Sequence, residues 1–263
     1  MTLKVIKTRG DRVTDRPLQQ VGGKGLFTKE IEDALLAGDV DIAVHSMKDM
    51  PTEGPRGLLI ACVPERVDPR DALIGASLDE LGEGAVVGTG SVRRALQLRR
   101  LRPDLVIKGI RGNVDTRIAK QQAGEYDAIV LAMAGLVRLG RADAVSQALS
   151  IDEMIPAVGQ GALAVQARRG DTRVLALLES IHHADSGLCV SAERVFLETV
   201  SGGCSAPAAC HVQREDLLLC ARGVWAEDEH GPSSVAVRRS DPLHALPLGR
   251  GLALDLMAAG SGR

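Results

Sequence analysis

The residues best able to do chemistry lie in a few short loops. In SGGCSAPAAC, residues 201–210, Cys204 follows two glycines and precedes Pro207, which stops any helix from resuming. Gly202 and Gly203 can take backbone angles closed to other residues and let another molecule approach the main chain. The thiol reads as presented rather than packed, whereas free cysteines are usually buried as small hydrophobes. Reactivity would require a lowered pKa, so the bland alternative is a turn that happens to contain Cys. Arg93 and Arg94 stand in GTGSVRR, and Arg111 and Arg117 in IRGNVDTR. Planar guanidinium forks suit carboxylates, so four converging arginines imply a ligand with several of them; solvated surface arginines are the alternative. Asp49 is the only carboxylate in HSMKDMP, residues 45–51, beside Lys48 and four residues past His45. Among cations it could steady a positive charge developing on a substrate and pass protons, or it could be an ordinary loop aspartate. VGGKGLF, residues 21–27, lacks the spacing of a phosphate-binding loop, and GQGA, residues 159–162, fails the dinucleotide fingerprint. No nucleotide site follows, and the second stretch reads as hinge glycine.

These loops fall at the ends of predicted strands. Residues 3–7, LKVIK, alternate like a strand, and residues 28–38 read as a helix that closes on Gly38. DVDIAVHS is the next strand, followed by strands at about 58–63, 85–88, 105–110 and 127–133 and helices near 92–101 and 115–123. Alternating strands and helices predict α/β layers with mainly parallel sheets, in which ligands bind beyond the carboxyl ends of strands. Residues 63–71 and 154–162 are proline- and glycine-marked connections that look like paired hinges. A helix at about 186–199, a hairpin turning near 230–233 and a helix near 249–258 predict a third, α+β domain.

Composition narrows the class. With 263 residues, 45% hydrophobic and 25% charged, the chain is long enough for two or three globular domains. Thirty-two basic residues against 34 acidic ones give a formal charge of -2, and 2% aromatics leave little for base stacking, so nucleic acid is not an expected partner. No apolar run approaches the roughly 18 residues of a membrane span, and the first residues lack a signal-peptide core, which predicts a cytoplasmic protein with no membrane partner. Cysteines 62, 189, 204, 210 and 220 form no CxxC pair, against a disulfide framework or a zinc site.

Taken in order, VGGKGLF, DIAVHSMKDMP, DPRDAL, GTGSVRR, RGNVDTR, GEYDAIVLAMAGLVRLG, PAVGQGA and SGGCSAP resemble the porphobilinogen deaminase (hydroxymethylbilane synthase) family, from about Thr8 onward. The resemblance implies that Cys204 carries a dipyrromethane cofactor through a thioether, built by the enzyme from its own substrate. It implies a transferase that joins four porphobilinogen molecules head to tail, releasing ammonia each time, and frees linear hydroxymethylbilane for tetrapyrrole synthesis. Each pyrrole bears an acetate and a propionate, and each desolvated carboxylate needs a partner. By the same resemblance, Arg93, Arg94, Arg117, Lys48 and Ser91 bind the cofactor, Arg111, Arg138 and Lys24 bind substrate, and no metal takes part. Asp49 matches the catalytic aspartate, which stabilises the azafulvene-like cation left by loss of ammonia and handles protons.

The implied architecture is two hinged α/β domains of the type 2 periplasmic-binding-protein kind plus a small α+β domain, in a monomer. Domain 1 would comprise residues 1–63 and 161–180, domain 2 residues 67–155, and the cofactor-bearing domain 3 residues 184–263. The chain also departs from the family pattern. Gly90 stands where a serine usually bonds the cofactor, Asp115 replaces a small or uncharged residue, and Gln20 replaces a frequent lysine. The family's first strand and helix have no counterpart before Thr8. The alternative reading is therefore a truncated, weakly active or inactive homologue that only binds a small carboxylate.

Overall fold

The computed structural model describes residues 2–8, 28–201, 207–228 and 231–260. Helix α1 (Lys29–Ala37) stops where expected: Gly38 takes a left-handed φ of 79°, and the N–H groups of Gly38 and Asp39 turn back to the carbonyls of Leu35 and Ala34. Strand β1 (Ile42–Ser46) runs directly into one 3-10 turn, Met47–Asp49, and strand β2 (Leu58–Cys62) follows. The chain then crosses through residues 63–70 into a second sheet. Its elements in order are β3 (Asp71–Ile74), β4 (Val86–Gly88), α2 (Val92–Leu101), β5 (Val106–Lys108), α3 (Val114–Gln122), β6 (Ala128–Ala132), α4 (Met133–Arg138) and β7 (Gln147–Ala148). A second crossing returns the chain to β8 (Leu163–Arg168) and α5 (Thr172–Glu179). Helix α6 (Ala184–Ser201), strands β9 (Ala208–Glu215), β10 (Leu218–Ala226) and β11 (Ser233–Ser240), and helix α7 (Ala245–Gly260) complete it.

The three sheets have strand orders β1-β8-β2, β5-β4-β6-β3-β7 and β11-β10-β9. The expectation of mainly parallel sheets is corrected. In the first, both neighbours run antiparallel to β8, because the second crossing delivers the chain to the carboxyl end of β1, pairing Leu163 with Ser46. In the second, β4 is parallel to β5 and β6, but β3 is antiparallel to β6 and β7. Residues 3–7 form no strand: Leu3 and Val5 are 84% and 81% exposed. Alternation makes a strand only where a sheet edge accepts it, and no described strand pairs with this segment. Helices α6 and α7, both longer than predicted, pack on the antiparallel sheet β11-β10-β9, and residues 229–230 of the hairpin lie outside the described set.

The second sheet shows why β3 escaped the sequence analysis. Its residues are buried on both faces, so it reads as a short apolar run without alternation. Leu73, Ala128 and Val130 pack on one side with Val87, Leu98 and Leu149, while Ala72, Ile74, Ile129 and Leu131 pack on the other with Ile110, Ile118 and Leu136. The two crossing segments touch. The Arg66 side chain donates from Nε to the Gln160 carbonyl at 2.7 Å, and Gln160 Nε2 donates to the Pro69 carbonyl at 2.7 Å. Gly161, at φ 87°, lies so near Val67 that an added Cβ would sit 2.6 Å from its carbonyl oxygen.

Candidate functional site

A cavity of about 250 Å³ opens between the first and second sheets. The first sheet contributes Ser46 and Lys48 at the end of β1, and the second contributes Arg94, Asn113, Arg117 and Arg138 from the starts of α2 and α3 and the end of α4. Local sequence sets these positions. Ser91 caps α2, accepting from the Arg94 N–H at 3.4 Å, and Asn113 caps α3, accepting from the Thr116 N–H at 2.8 Å. Each cap therefore starts a helix whose first turn carries a cleft arginine.

The arginines differ sharply in what they already hold. Asp71, wholly buried at the head of β3, accepts from Arg93 Nη1 at 2.7 Å and from Arg94 Nη2 at 2.7 Å and Nε at 3.0 Å, with Gln160 Nε2 adding a bond at 3.0 Å. Burial alone would raise the Asp71 carboxyl, but the two guanidinium groups outweigh it and hold it far below the usual range. Arg93 is buried in this node, also donates to the Ile155 carbonyl, and does not line the cavity. Arg94 belongs to both node and cavity. Lys48, Arg117 and Arg138 have no carboxylate partner among the described residues; Arg117 donates to the Gly112 carbonyl and Arg138 to the Gly161 carbonyl. The Arg117 pKa is lowered by burial and by repulsion from Arg94 and Arg111, and that of Lys48 chiefly by burial, then by Arg94. Lys48 is exposed and Arg117 half-buried, so solvent screens both effects. Arg111 is half-buried beside this cluster but is not among the residues lining the cavity.

Asp49 sits on the 3-10 turn directly after Lys48. Burial pushes its carboxyl up, and the opposing pull of Lys48 and His45 does not cancel the effect. Asp49 and Lys48 are both exposed residues whose neighbours crowd them, so solvent screens both shifts. Gly159 fixes the turn from below: at φ 71° its position leaves an added Cβ only 2.5 Å from Met47 Cγ.

The unusual residues of this chain also find places. Asp115 is not among the residues lining the cavity and is paired with Arg141 at 2.8 Å where both are exposed. At Gly90 an added Cβ would lie 3.1 Å from the Ile110 carbonyl, tight for a serine, and the hydroxyl of neighbouring Ser91 is engaged as a cap. Cys204, Lys24 and Gln20 lie outside the described residues. Cys62, Cys189, Cys210 and Cys220 are buried free thiols whose pKa burial raises, to about 11 for Cys189, so none is primed as a nucleophile. Among the described residues no group of His, Cys, Asp or Glu could hold a metal, and no helix is long and apolar enough to cross a membrane.

Sequence reasoning missed Asp71 as the partner of Arg93 and Arg94, and Glu193 as the buried anchor of Arg66. Asp71 was visible as a carboxylate heading an otherwise apolar run. Glu193 was visible as the one acidic residue between Asp185 and Glu198 on a largely apolar helix.

The cavity between the two sheets is thus lined by Lys48, Arg94, Arg117 and Arg138, while Asp49 follows Lys48 in the chain but is not among the residues lining it. The model of the family described as porphobilinogen deaminase, dipyromethane cofactor binding domain, matches residues 1–176, and the chain belongs to that family. Solved structures with a similar course include the periplasmic VFT2 domain of BvgS from Bordetella pertussis, at 16% identity over 60% of this chain and 68% of that one, TM-score 0.37. YhfZ from Shigella flexneri is similar at 17% identity over 68% and 76%, TM-score 0.35. The periplasmic aliphatic sulphonate binding protein SsuA from Escherichia coli is similar at 17% identity over 64% and 56%, TM-score 0.39. None of these likenesses bears on ligand or activity.

Proposed function

We propose that this chain polymerises four porphobilinogen molecules head to tail into hydroxymethylbilane, releasing one ammonia per unit. The observation that carries the reading is the unneutralised wall of Lys48, Arg117 and Arg138, with Asp49 as the carboxylate beside it. That wall fits a cofactor and substrate whose every pyrrole bears two carboxylates. When bound through Cys204, the dipyrromethane supplies the terminal pyrrole carbon to which substrate units are joined.

The chain's own residues then divide the work. Arg94, Arg117 and Lys48 hold cofactor carboxylates, and Arg138, Arg111 and Lys24 hold those of incoming substrate. Fixing both partners replaces a bimolecular encounter with an oriented one. Asp49 lies where positive charge develops as ammonia departs, and its anionic form stabilises that charge. Its raised pKa also brings it nearer to neutrality as a proton acceptor for the hydrogen lost from the pyrrole carbon, and as a donor to the departing amine. We assign domain 1 to residues 1–63 and 161–180, domain 2 to 67–155 and domain 3 to 184–263, with the crossing segments as the hinge that makes room for the growing chain.

Intact-protein mass spectrometry combined with porphobilinogen turnover tests the reading. Expected are an added dipyrrole mass that maps to Cys204, and hydroxymethylbilane formation with ammonia release. An unmodified Cys204 thiol in a protein that binds porphobilinogen without releasing ammonia would mark a binding module instead.

A further inference from the structure

Helix α6 ends at Ser201, three residues before Cys204 in the sequence, and its middle carries two adjacent charged residues that reach in different directions. Glu193 is fully buried. It accepts from Arg66 Nη1 at 2.6 Å, from the Gly159 N–H at 2.7 Å and from the Val212 N–H at 2.8 Å, which ties both crossing segments and the third sheet to α6. Arg194 reaches the other way, into the loop that leaves the Lys48–Asp49 turn. Its Nη2 donates to the Pro51 carbonyl at 2.6 Å and to the Thr52 carbonyl at 3.0 Å, and its Nη1 donates to the Met50 carbonyl at 3.5 Å and lies 4.0 Å from Met47 Sδ.

One guanidinium thus gathers three successive carbonyls immediately after Asp49. Met47 and Met50 are buried in one apolar cluster with Val190 of α6, a contact without direction, and among the described residues the backbone bonds of this stretch are the Met47 N–H to the Ala162 carbonyl and the Met50 N–H to the Met47 carbonyl. Neither bond reaches from the turn to α6. Only a planar fork with several donors can span these carbonyls; a lysine ammonium at the same place could satisfy one or two.

Resting on the reaction proposed above, we propose that Arg194 is a positioning residue that registers the Asp49 turn against helix α6, so that the carboxylate keeps a fixed place relative to the helix that leads toward Cys204. From Arg194 to Ser201 the helix advances only about 10 Å, so a shift at one end of this strut is carried to the other with little loss. Arg194 touches neither substrate nor reacting atoms in this scheme. It acts through the backbone of Met50, Pro51 and Thr52.

The test compares full-length wild-type, Arg194→Lys and Arg194→Met proteins by intact mass, by steady-state turnover of porphobilinogen, and by hydrogen exchange of the amides of residues 47–54. Loss of register by about 1 Å is enough to cost on the order of a hundredfold in rate. Arg194→Met is expected to retain the dipyrrole mass and a KM within about twofold of wild type, with kcat reduced roughly 10- to 100-fold and faster exchange in residues 47–54. Arg194→Lys is expected to recover part of both kcat and protection. If Arg194→Met does not fold, the same pair of shifts in Arg194→Lys carries the test. Wild-type turnover matched by a variant within twofold overturns this inference alone. So does a loss of rate accounted for by protein lacking the dipyrrole mass, with exchange at 47–54 unchanged. A wild-type chain that forms no bilane overturns the proposed reaction, and this inference with it.

Discussion

Replacing Asp71 by Asn is the most direct way to ask whether the cleft is built on its buried ion node. The substitution keeps the shape and removes the one negative charge shared by Arg93 and Arg94, whose residues are each only 7% exposed. An asparagine oxygen can still accept from one guanidinium, but its amide nitrogen then faces N–H donors of the other, so at least one buried charge loses its acceptor. Breaking a buried pair by removing one partner costs about 3–5 kcal/mol. For a chain of this size that corresponds to a fall of roughly 6–20 °C in thermal midpoint. Unfolding followed by fluorescence of the single tryptophan, Trp225 in the third sheet, and by far-UV circular dichroism reports both the loss and whether the sheets unfold together. The double variant Asp71→Asn with Arg93→Met should recover part of the stability lost in Asp71→Asn alone, because one of the two uncompensated guanidinium charges is gone and Arg94 keeps the asparagine oxygen as acceptor. A cost below about 1 kcal/mol for Asp71→Asn, or no recovery in the double variant, would refute the node as the foundation of the arginine wall.

Asp49→Asn should keep the dipyrrole mass yet lower kcat by about a hundredfold, as expected for loss of a charge that opposes a developing cation; unchanged turnover would remove Asp49 from the chemistry. Burial works to raise the Glu193 carboxyl, but the Arg66 charge and the imidazole of His211, 3.3 Å away, prevail and hold it at about 2. A depressed folded value means stability that is complete above the unfolded value, about 4.3, and lost as pH falls through about 2. The gap in unfolding free energy between wild type and Glu193→Gln should therefore be largest near neutrality, on the order of 3 kcal/mol, and close between about pH 4 and 2. A gap that stays constant over that range would show that the charge of Glu193 does not contribute. Gly159→Ala should cost more than about 1 kcal/mol through its left-handed φ alone, and lower turnover further by displacing Met47 and the Asp49 turn; circular dichroism melts and kcat on the same preparations check both.

What could be read from sequence, and what could not, follows from the range of the interaction involved. The α1 terminus at Gly38 and the two helices that carry cleft arginines rest on side chains within four residues of the backbone they satisfy, and each was placed to within about two residues. Strand β8 was missed because its place is set by β1 and β2, whose paired residues lie more than a hundred positions away. The candidate site divides along the same line. GTGSVRR and RGNVDTR announce four arginines at strand ends, and three of the cavity's four cations were legible as chemistry from those motifs and from HSMKDMP. The fourth, Arg138, entered only through resemblance to a family. Nothing local distinguishes Arg93 from Arg117, yet one is neutralised 22 residues away by Asp71 and the other is left charged among like charges. Composition reports how many arginines a chain has; only the fold decides which are already spent. Hence the anion capacity of this cleft is smaller than its motif count implies: it rests on Lys48, Arg117 and Arg138, with Arg94 sharing its charge between the cavity and Asp71.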